Sequence, residues 1–505
     1  MQSRLQASAV SSVSLNRFLD SFPAMLALAA LIGGLMGAVM MPEFMLMLGA
    51  GVAVYSALRF IIASLAYLYG LRRIAQDVRT DWYARYLVDC TDQSLVWEQV
   101  RHIVIIPNYA ESLHTLNASL ANLARVEFAA EQMVVVLAME AREPEALRKA
   151  KHLQKQFAGC FAQIYITLHP DHLPGEIRCK SANQAWAARW VKRELVERQG
   201  WDLSHIVVTT MDADTIWHPA YFDALTYFYA VDPSRYYRIW QAPLRYHSNV
   251  YRISPLMRVT NAYATAFELA YLAAPHWLTL PMSSYSLSLK LLEHCGYWDS
   301  DVIADEWHTY IKIYFATQGR LRITPIFLPF LATAVSGNTL WDSIKNRYRQ
   351  SLRHAWGTKE ISYTVLQMGR PTGTPIWRGM RLLVRVAHDI LHAGAGWVFL
   401  TAATQLPVLF NPHLLDRGVL YPPFLLLNVA FLVMFWLGVV FWWLDIDTRP
   451  SAKQRVSRGE WLTMLASPIL LPLIALVFVS LPVLHAQFRL MLGHDLVFHV
   501  TAKHH

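Results

Sequence analysis

Two aspartates one residue apart, Asp212 and Asp214, close the apolar, β-branched run in HIVVTTMDADTIWHPAYF, which begins at His205. Clustered carboxylates repel each other unless a cation or a shared proton relieves them. Hard oxygen ligands of this kind suit Mg2+ or Mn2+, held jointly with substrate phosphates. Four other stretches carry side chains of comparable potential. IPNYAES (106–112) puts Glu111 just past a strand-stopping proline. LPGEIRCKSANQAWAAR (173–189) puts Lys180 and Asn183 at a helix start, where backbone N–H groups and a lysine make a phosphate pocket. VIADEWHTYIK (302–312) puts Asp305 and Glu306 in a first helical turn, where one could serve as general base. NRYRQSLRHAWG (346–357) concentrates Arg347, Arg349, Gln350, Arg353, His354 and Trp356, with guanidiniums suited to anionic groups. Taken singly, each has an ordinary structural explanation: a capped strand end, a turn, a solvated lysine, acids favoured by the helix dipole, a solvated basic face.

These residues need a scaffold that brings them together. Between residues 71 and 375 the pattern alternates. Strands are expected at 102–106, 133–139 and 163–167 and in the run ending at Asp212; helices at 111–124, 143–157 and 181–198 separate them. Such alternation predicts an α/β domain with a mostly parallel sheet, and ligands of such sheets bind beyond the carboxyl ends of the strands. Asp212 and Asp214 fall there. The four cysteines, Cys90, Cys160, Cys179 and Cys295, have no zinc-like spacing and read as reduced and structural.

Composition sets the surroundings. Hydrophobic residues make up 54% of the 505-residue chain and charged residues 16%, with a mean hydropathy of +0.25, too apolar for an ordinary soluble protein. Apolar stretches at 24–42, 44–70, 394–410, 419–444 and 461–484 are expected to cross a membrane, two before the polar middle and three after it. Arg72, Arg73 and Arg79 follow the second stretch, and Arg449, Lys453, Arg455 and Arg458 fill the last loop; the positive-inside rule makes both sides cytoplasmic. The net charge of +9 suits an anionic membrane surface or an anionic substrate. Arg378, Arg381, Arg385, His388 and His392 fall on one helical face, which predicts a helix lying in the membrane interface with its basic stripe towards headgroups. The expected organisation is two transmembrane helices in 1–71, a cytoplasmic domain in 72–375, an interfacial helix in 376–393, and about three transmembrane helices in 394–505. The His-bearing tail at 499–505 reads as a flexible end.

In chain order the motifs are P-x-Y-x-E from Pro107 to Glu111, K-x-x-N from Lys180 to Asn183, D-x-D, the Asp305-Glu306 pair, and Q-x-x-R-x-x-W from Gln350 to Trp356. Set between membrane spans, this series resembles the membrane-integrated family-2 glycosyltransferases, the cellulose- and hyaluronan-synthase-like group, over residues 101–357. WQAPLRY (240–246) is similar to a Q-x-P strand that such synthases carry. The resemblance implies a GT-A-type nucleotide-sugar-binding domain inserted between transmembrane helices. It implies an inverting hexosyltransferase that moves a sugar from a nucleotide-sugar, a UDP-sugar first of all, to a growing polysaccharide. The alternatives are a lipid acceptor, or a degenerate, non-catalytic subunit of a polysaccharide synthase. It implies Mg2+ or Mn2+ as cofactor, the lipid bilayer as partner, no nucleic acid, and a place in the plasma (inner) membrane with the catalytic domain cytoplasmic. By resemblance, Asp212 touches the nucleotide end and, with Asp214, the metal. Glu111 faces the base or ribose, Lys180 helps hold the diphosphate, Asn183 counts among the donor contacts, and Gln350, Arg353 and Trp356 close over donor and acceptor. The departures are specific. Glu140 stands nearest to an aspartate pair usual after the second strand, and Ala110 replaces an asparagine. The acids of Ala304-Asp305-Glu306 are in swapped order, which leaves Glu306 favoured over Asp305 as base. His354 is an alternative for the tryptophan's place.

Overall fold

The structure, a computed structural model, describes residues 2–275, 277–449 and 458–494. Lys453 and Arg455 of the last basic loop and the tail at 499–505 lie outside the described residues.

Among the described residues nine strands form: β1 (Arg101–Asn108), β2 (Met133–Glu140), β3 (Gln163–His169), β4 (Ile206–Thr210), β5 (Arg238–Gln241), β6 (Leu244–Arg245), β7 (Tyr285–Ser288), β8 (Arg322–Pro325) and β9 (Phe330–Leu331). Seven make one sheet in the order β3-β2-β1-β4-β7-β5-β8, and β6 pairs with β9. Of its six pairings four are parallel, so the expectation of a mostly parallel sheet holds. The exception is β7, antiparallel to both neighbours.

The strands read as unbroken apolar runs because both faces are covered. Val104, Ile106, Val135, Leu137 and Val207 enter one core with the helices Leu113–Leu123, Ala146–Gln156 and Tyr221–Val231. The alternate residues Ile103, Ile105, Val134, Val136 and Val208 enter a second core with Lys180–Val191, Asp305–Ala316 and Ile376–Leu391. The helices Tyr221–Val231 and Pro255–Ala273 and the reversal of β7 were not anticipated.

Among the described residues five helices are long and apolar enough to cross a membrane: Leu15–Met40, Pro42–Asp77, Ile376–Phe410, Pro422–Asp447 and Ile469–Met491. The separate interfacial helix expected at 376–393 does not appear as such, because it runs without a break into the third of these helices. One member of its basic stripe turns fully inward, while Arg381 stays exposed. Arg385 is buried, donates to the Leu278 carbonyl and to Asp389, and stacks on Tyr271, Trp277 and Trp307. The outward positions are mixed: Ile376, Trp377, Met380 and Val384 are exposed, and so is Arg381. The aromatic cage accounts for the reversal: three π faces and one carboxylate satisfy a guanidinium that headgroups would otherwise have held.

The helix Pro255–Ala273 forms the seam between domain and spans. Its Val259, Ala266 and Leu269 share a core with Phe60, Tyr67, Phe441 and Trp442. A buried ionic joint lies in the same seam. Asp445 accepts two N–H groups of Arg449 at 3.0 and 3.1 Å and meets His247 Nε2 at 3.0 Å. All three are nearly sealed from solvent. Truncating Asp445 to Ala removes the carboxylate that two buried basic side chains share, so D445A should destabilise the folded protein by roughly 3–5 kcal/mol. Thermal unfolding in detergent checks this, and an unchanged midpoint would show that the joint is not structural.

Candidate active site

The carboxyl ends of β1, β2 and β4 and the amino end of β7 converge on one cleft. β4 ends at Thr210, and Asp212 follows with its N–H donating to Ser284 Oγ. Because β7 runs antiparallel, Thr210 pairs with Tyr285, which sets Ser283 and Ser284 beside the acids. Gln241 fixes that loop by donating to the Ser284 carbonyl and accepting from Met282 N–H, so the Q-x-P glutamine acts on backbone.

Lys180 opens its helix and reaches Asp212 Oδ1 at 2.6 Å and the Ser283 carbonyl at 3.1 Å. Burial works against its ammonium, but Asp212, Asp305 and Glu306 outweigh that and hold its pKa above the ordinary lysine value. Asp212 Oδ2 also accepts from Ser283 Oγ at 2.8 Å. Asp214 is buried and accepts the Thr333 N–H at 2.9 Å. Among the described residues no three His, Cys, Asp or Glu side chains gather into a metal cage. Mg2+ and Mn2+ in nucleotide sites need only one or two carboxylates, with phosphates and water completing the shell. Asp214 and Asp212 fit that requirement.

Asp305 and Glu306 begin the Asp305–Ala316 helix. Asp305 is buried, with Oδ2 accepting from Gln184 Nε2 at 2.5 Å; Gln184 in turn accepts from Thr210 Oγ1. Glu306 is less deeply covered. Burial raises both carboxyl pKa values, and for Glu306 the charge of Asp305 adds to the effect. Gln184 was missed by the sequence reading although it lies one turn beyond Lys180, on the same helix face.

The remaining expected residues divide. Glu111 is half-buried at the end of β1, and its carbonyl accepts from Lys149. Ala110, in the asparagine's place, has φ 60°, a left-handed conformation that asparagine tolerates better than alanine. Glu140, buried at the end of β2, is paired with Arg142, which stacks 3.7 Å from the centre of the Tyr109 ring. Burial raises its pKa. Asn183 donates to the Ala138 carbonyl, holding its helix on β2. Gln350 is buried and accepts from Arg347 Nη1 at 2.7 Å. His354 is exposed, and Asp212, Arg347 and Arg353 are the charges around it. Trp356 does not join them: it is buried against Ala486 and Leu490 of the last span.

No family model matches the chain, and no curated protein does. Among solved structures it is similar to the mannosyltransferase PcManGT from Pyrobaculum calidifontis, in complex with GDP-Man and Mn2+. That match is at 18% identity, covers 85% of this chain and 98% of the other, and has a TM-score of 0.40. It is also similar to S. aureus TarS 1-349, at 10% identity over 62% of this chain and 92% of the other, with a TM-score of 0.31. These are partial likenesses, and the chemistry of the cleft rests on its own side chains.

The acid-bearing helix is fastened from behind. His308 sits between Asp299, at 3.0 Å from Nε2, and Glu360, at 3.1 Å from Nδ1, and stacks on Tyr363. Burial disfavours its imidazolium, but Glu360 and Asp299 prevail and lift its pKa to about 9. A raised histidine pKa stabilises the fold fully below its unfolded value of about 6.5 and ceases to do so as pH rises through the folded value. Thermal stability should therefore fall between about pH 7 and pH 10, by up to about 3 kcal/mol. The H308Q variant should lose that part of the pH dependence; an unaltered profile in H308Q would assign it to other groups.

Proposed function

We propose that the chain is a membrane-embedded glycosyltransferase that transfers a sugar from a nucleotide-sugar. The donor domain is read as GT-A-type and the enzyme as an inverting member of family 2. The observation that carries this reading is the gathering of Asp212, Asp305 and Glu306 round the single ammonium of Lys180, with Asp214 one residue from Asp212. Of these acids Asp214 and Asp305 are buried, and burying carboxylates is costly unless cations complete the site.

Lys180 is held at a helix N-terminus, where backbone N–H groups also face anions, and is read as a contact of the donor's diphosphate. Arg347 and Arg353, six residues apart on the Leu340–Ala355 helix, add guanidiniums near His354. A divalent ion held by Asp214 and Asp212 would supply further positive charge to the departing diphosphate. Glu111 and Glu140, at the ends of β1 and β2, are read as the nucleoside side, with UDP-sugars the first donors to try.

Glu306 is read as the base. Asp305 is committed to Gln184, whereas Glu306 is more open and has a raised pKa suited to taking a proton near neutrality. Its carboxylate removes the acceptor hydroxyl's proton. The hydroxyl oxygen bonds to the anomeric carbon as the bond to the diphosphate oxygen breaks, and the nucleoside diphosphate leaves with that electron pair. In-line attack inverts the anomeric centre.

A growing polysaccharide is the first acceptor considered. A lipid acceptor is favoured by a separate feature, a cavity of about 650 Å³ lined by Leu26, Ala29, Tyr55, His388, His392 and Phe399. It opens among the first three membrane-length helices. Its His388 contacts Asp389, whose partner Arg385 stacks on Trp307 beside Glu306. Screening UDP- and GDP-sugars for nucleoside diphosphate release by the purified protein, with Mg2+ or Mn2+, tests the reading; no release from any donor would favour a non-catalytic subunit.

Two variants sharpen the test. D214N keeps an acceptor for the Thr333 N–H while removing the charge, so it should fold normally and lose about a hundredfold or more in turnover. Near-wild-type release by D214N would remove Asp214 from the site. Glu306 has its pKa pushed up to about 7, and the base form accumulates above it, so the rate should rise through about pH 7 and level off. E306Q should bind donor and fail in transfer. An active E306Q beside a dead D305N would reassign the base to Asp305.

A further inference from the structure

The cavity of about 650 Å³ among the first three membrane-length helices has a wall of two kinds: apolar at Leu26, Ala29 and Phe399, polar at Tyr55, His388 and His392. The Tyr55 hydroxyl is hydrogen-bonded to His388 Nε2, and His388 Nδ1 lies 2.9 Å from Asp389 Oδ1. His392 lies parallel to the His388 ring and edge-on to Tyr55, with no hydrogen bond to any described residue. One turn beyond Tyr55, Arg59 donates through Nη2 to the Tyr271 hydroxyl at 2.9 Å and to Asp389 Oδ1 at 3.0 Å. Its Nε and Nη1 meet no acceptor among the described residues, and the side chain is partly exposed. Arg385 pairs with the same Asp389. Among the described residues no second acid pairs with either arginine, so the group carries one positive charge in excess. Protonating either imidazole would add to it.

Helix length sets the depth of this charge. Arg417, just past the third membrane-length helix, pairs with Glu43 at the start of the second at 2.9 Å, so those two ends share one level. From that level the stretches 42–59 and 392–410 each rise about 26 Å at roughly 1.5 Å per residue, close to the ~30 Å of a bilayer's hydrocarbon. Between their ends Glu43 is the only charged residue. Arg59 and His392 therefore lie where hydrocarbon gives way to headgroups, on the side of the α/β domain.

An excess cation with unused donors at the edge of a low-dielectric layer is costly until an anion meets it. The anions available at that depth are lipid phosphates. We propose that the cavity binds an anionic phospholipid of the adjoining leaflet, its phosphate taken by Arg59 and His392 and an acyl chain lying along Leu26, Ala29 and Phe399. The site goes beyond the transferase reading: it needs a bilayer but no donor chemistry. A lipid acceptor entering there would meet the same demand for a phosphate.

The experiment uses the full chain in a neutral detergent, with its thermal midpoint read as lipid is added. Phosphatidylglycerol should raise the midpoint saturably; phosphatidylcholine with the same acyl chains, and inorganic phosphate, should not. His392→Leu removes a donor without breaking a hydrogen bond of the folded chain. In it the half-saturating concentration of phosphatidylglycerol should rise about tenfold, the effect of losing one well-made hydrogen bond. Arg59→Gln should weaken the lipid at least as much, and Arg59→Lys should recover part of the loss. Ala29→Trp, at an exposed position on the wall, fills the cavity and should abolish the shift while the lipid-free midpoint stays unchanged. No shift with phosphatidylglycerol, an equal shift with phosphatidylcholine or inorganic phosphate, or an undiminished shift in Ala29→Trp or in His392→Leu would each overturn the site. Calorimetry with UDP and GDP in Mn2+ on the same samples reads the donor site separately: absence of nucleotide binding sinks the transferase reading and leaves the lipid site standing.

Discussion

The ammonium of Lys180 is the charge around which the cleft is arranged. It bonds Asp212 directly and balances Asp305 and Glu306 through space. Without it, three carboxylates would share a poorly solvated volume, and the ordinary escape from that condition is protonation. Its position depends on the helix Lys180–Val191, which Asn183 holds to β2 and Gln184 holds to β4 and to Asp305. Asn183 and Gln184 thus matter through what they hold. One helix turn sets the distance between the acids ending β4 and those opening the Asp305–Ala316 helix.

The cleft is also fixed from the membrane side. The Leu340–Ala355 helix contributes Arg347, Gln350 and His354 to the cleft, and Trp356, just past its end, packs against the last span. Arg385 couples Trp307, next to Glu306, to Asp389 and so to Arg59 in the second span. Three of the five membrane-length helices, the second, the third and the last, therefore reach the walls of the cleft through one to three side-chain contacts. A displacement of any of them would move a cleft residue, because close-packed contacts transmit strain.

Much of this was legible in the sequence. The strands ending at Asn108, Glu140 and Thr210 announce themselves by runs of buried β-branched residues, and the acids at their ends follow from sheet topology. Five apolar stretches of spanning length were equally plain, because hydropathy summed over such a length leaves little ambiguity. What escaped depended on chain reversal or on partners distant in sequence. The antiparallel β7, YSLS, is too short and polar to signal direction, yet it delivers Ser283 and Ser284 to Asp212. The stripe at Arg378, Arg381 and Arg385 has the right period for an interfacial helix. Nothing local shows that Tyr271, Trp277 and Trp307 wait on its inner side.

The replaced tryptophan illustrates how spacing decides a role. A tryptophan next to Arg353 would occupy position 354, whose side chain is exposed among Asp212, Arg347 and Arg353. At position 356 the same ring lies two residues further on, roughly 200° round a helix with 3.6 residues per turn. It therefore leaves the cleft side and meets Ala486 and Leu490. What an indole would do at 354 is left to an imidazole, smaller and able to donate or accept a hydrogen bond. The exchange trades a flat apolar platform for a polar contact beside Asp212, Arg347 and Arg353.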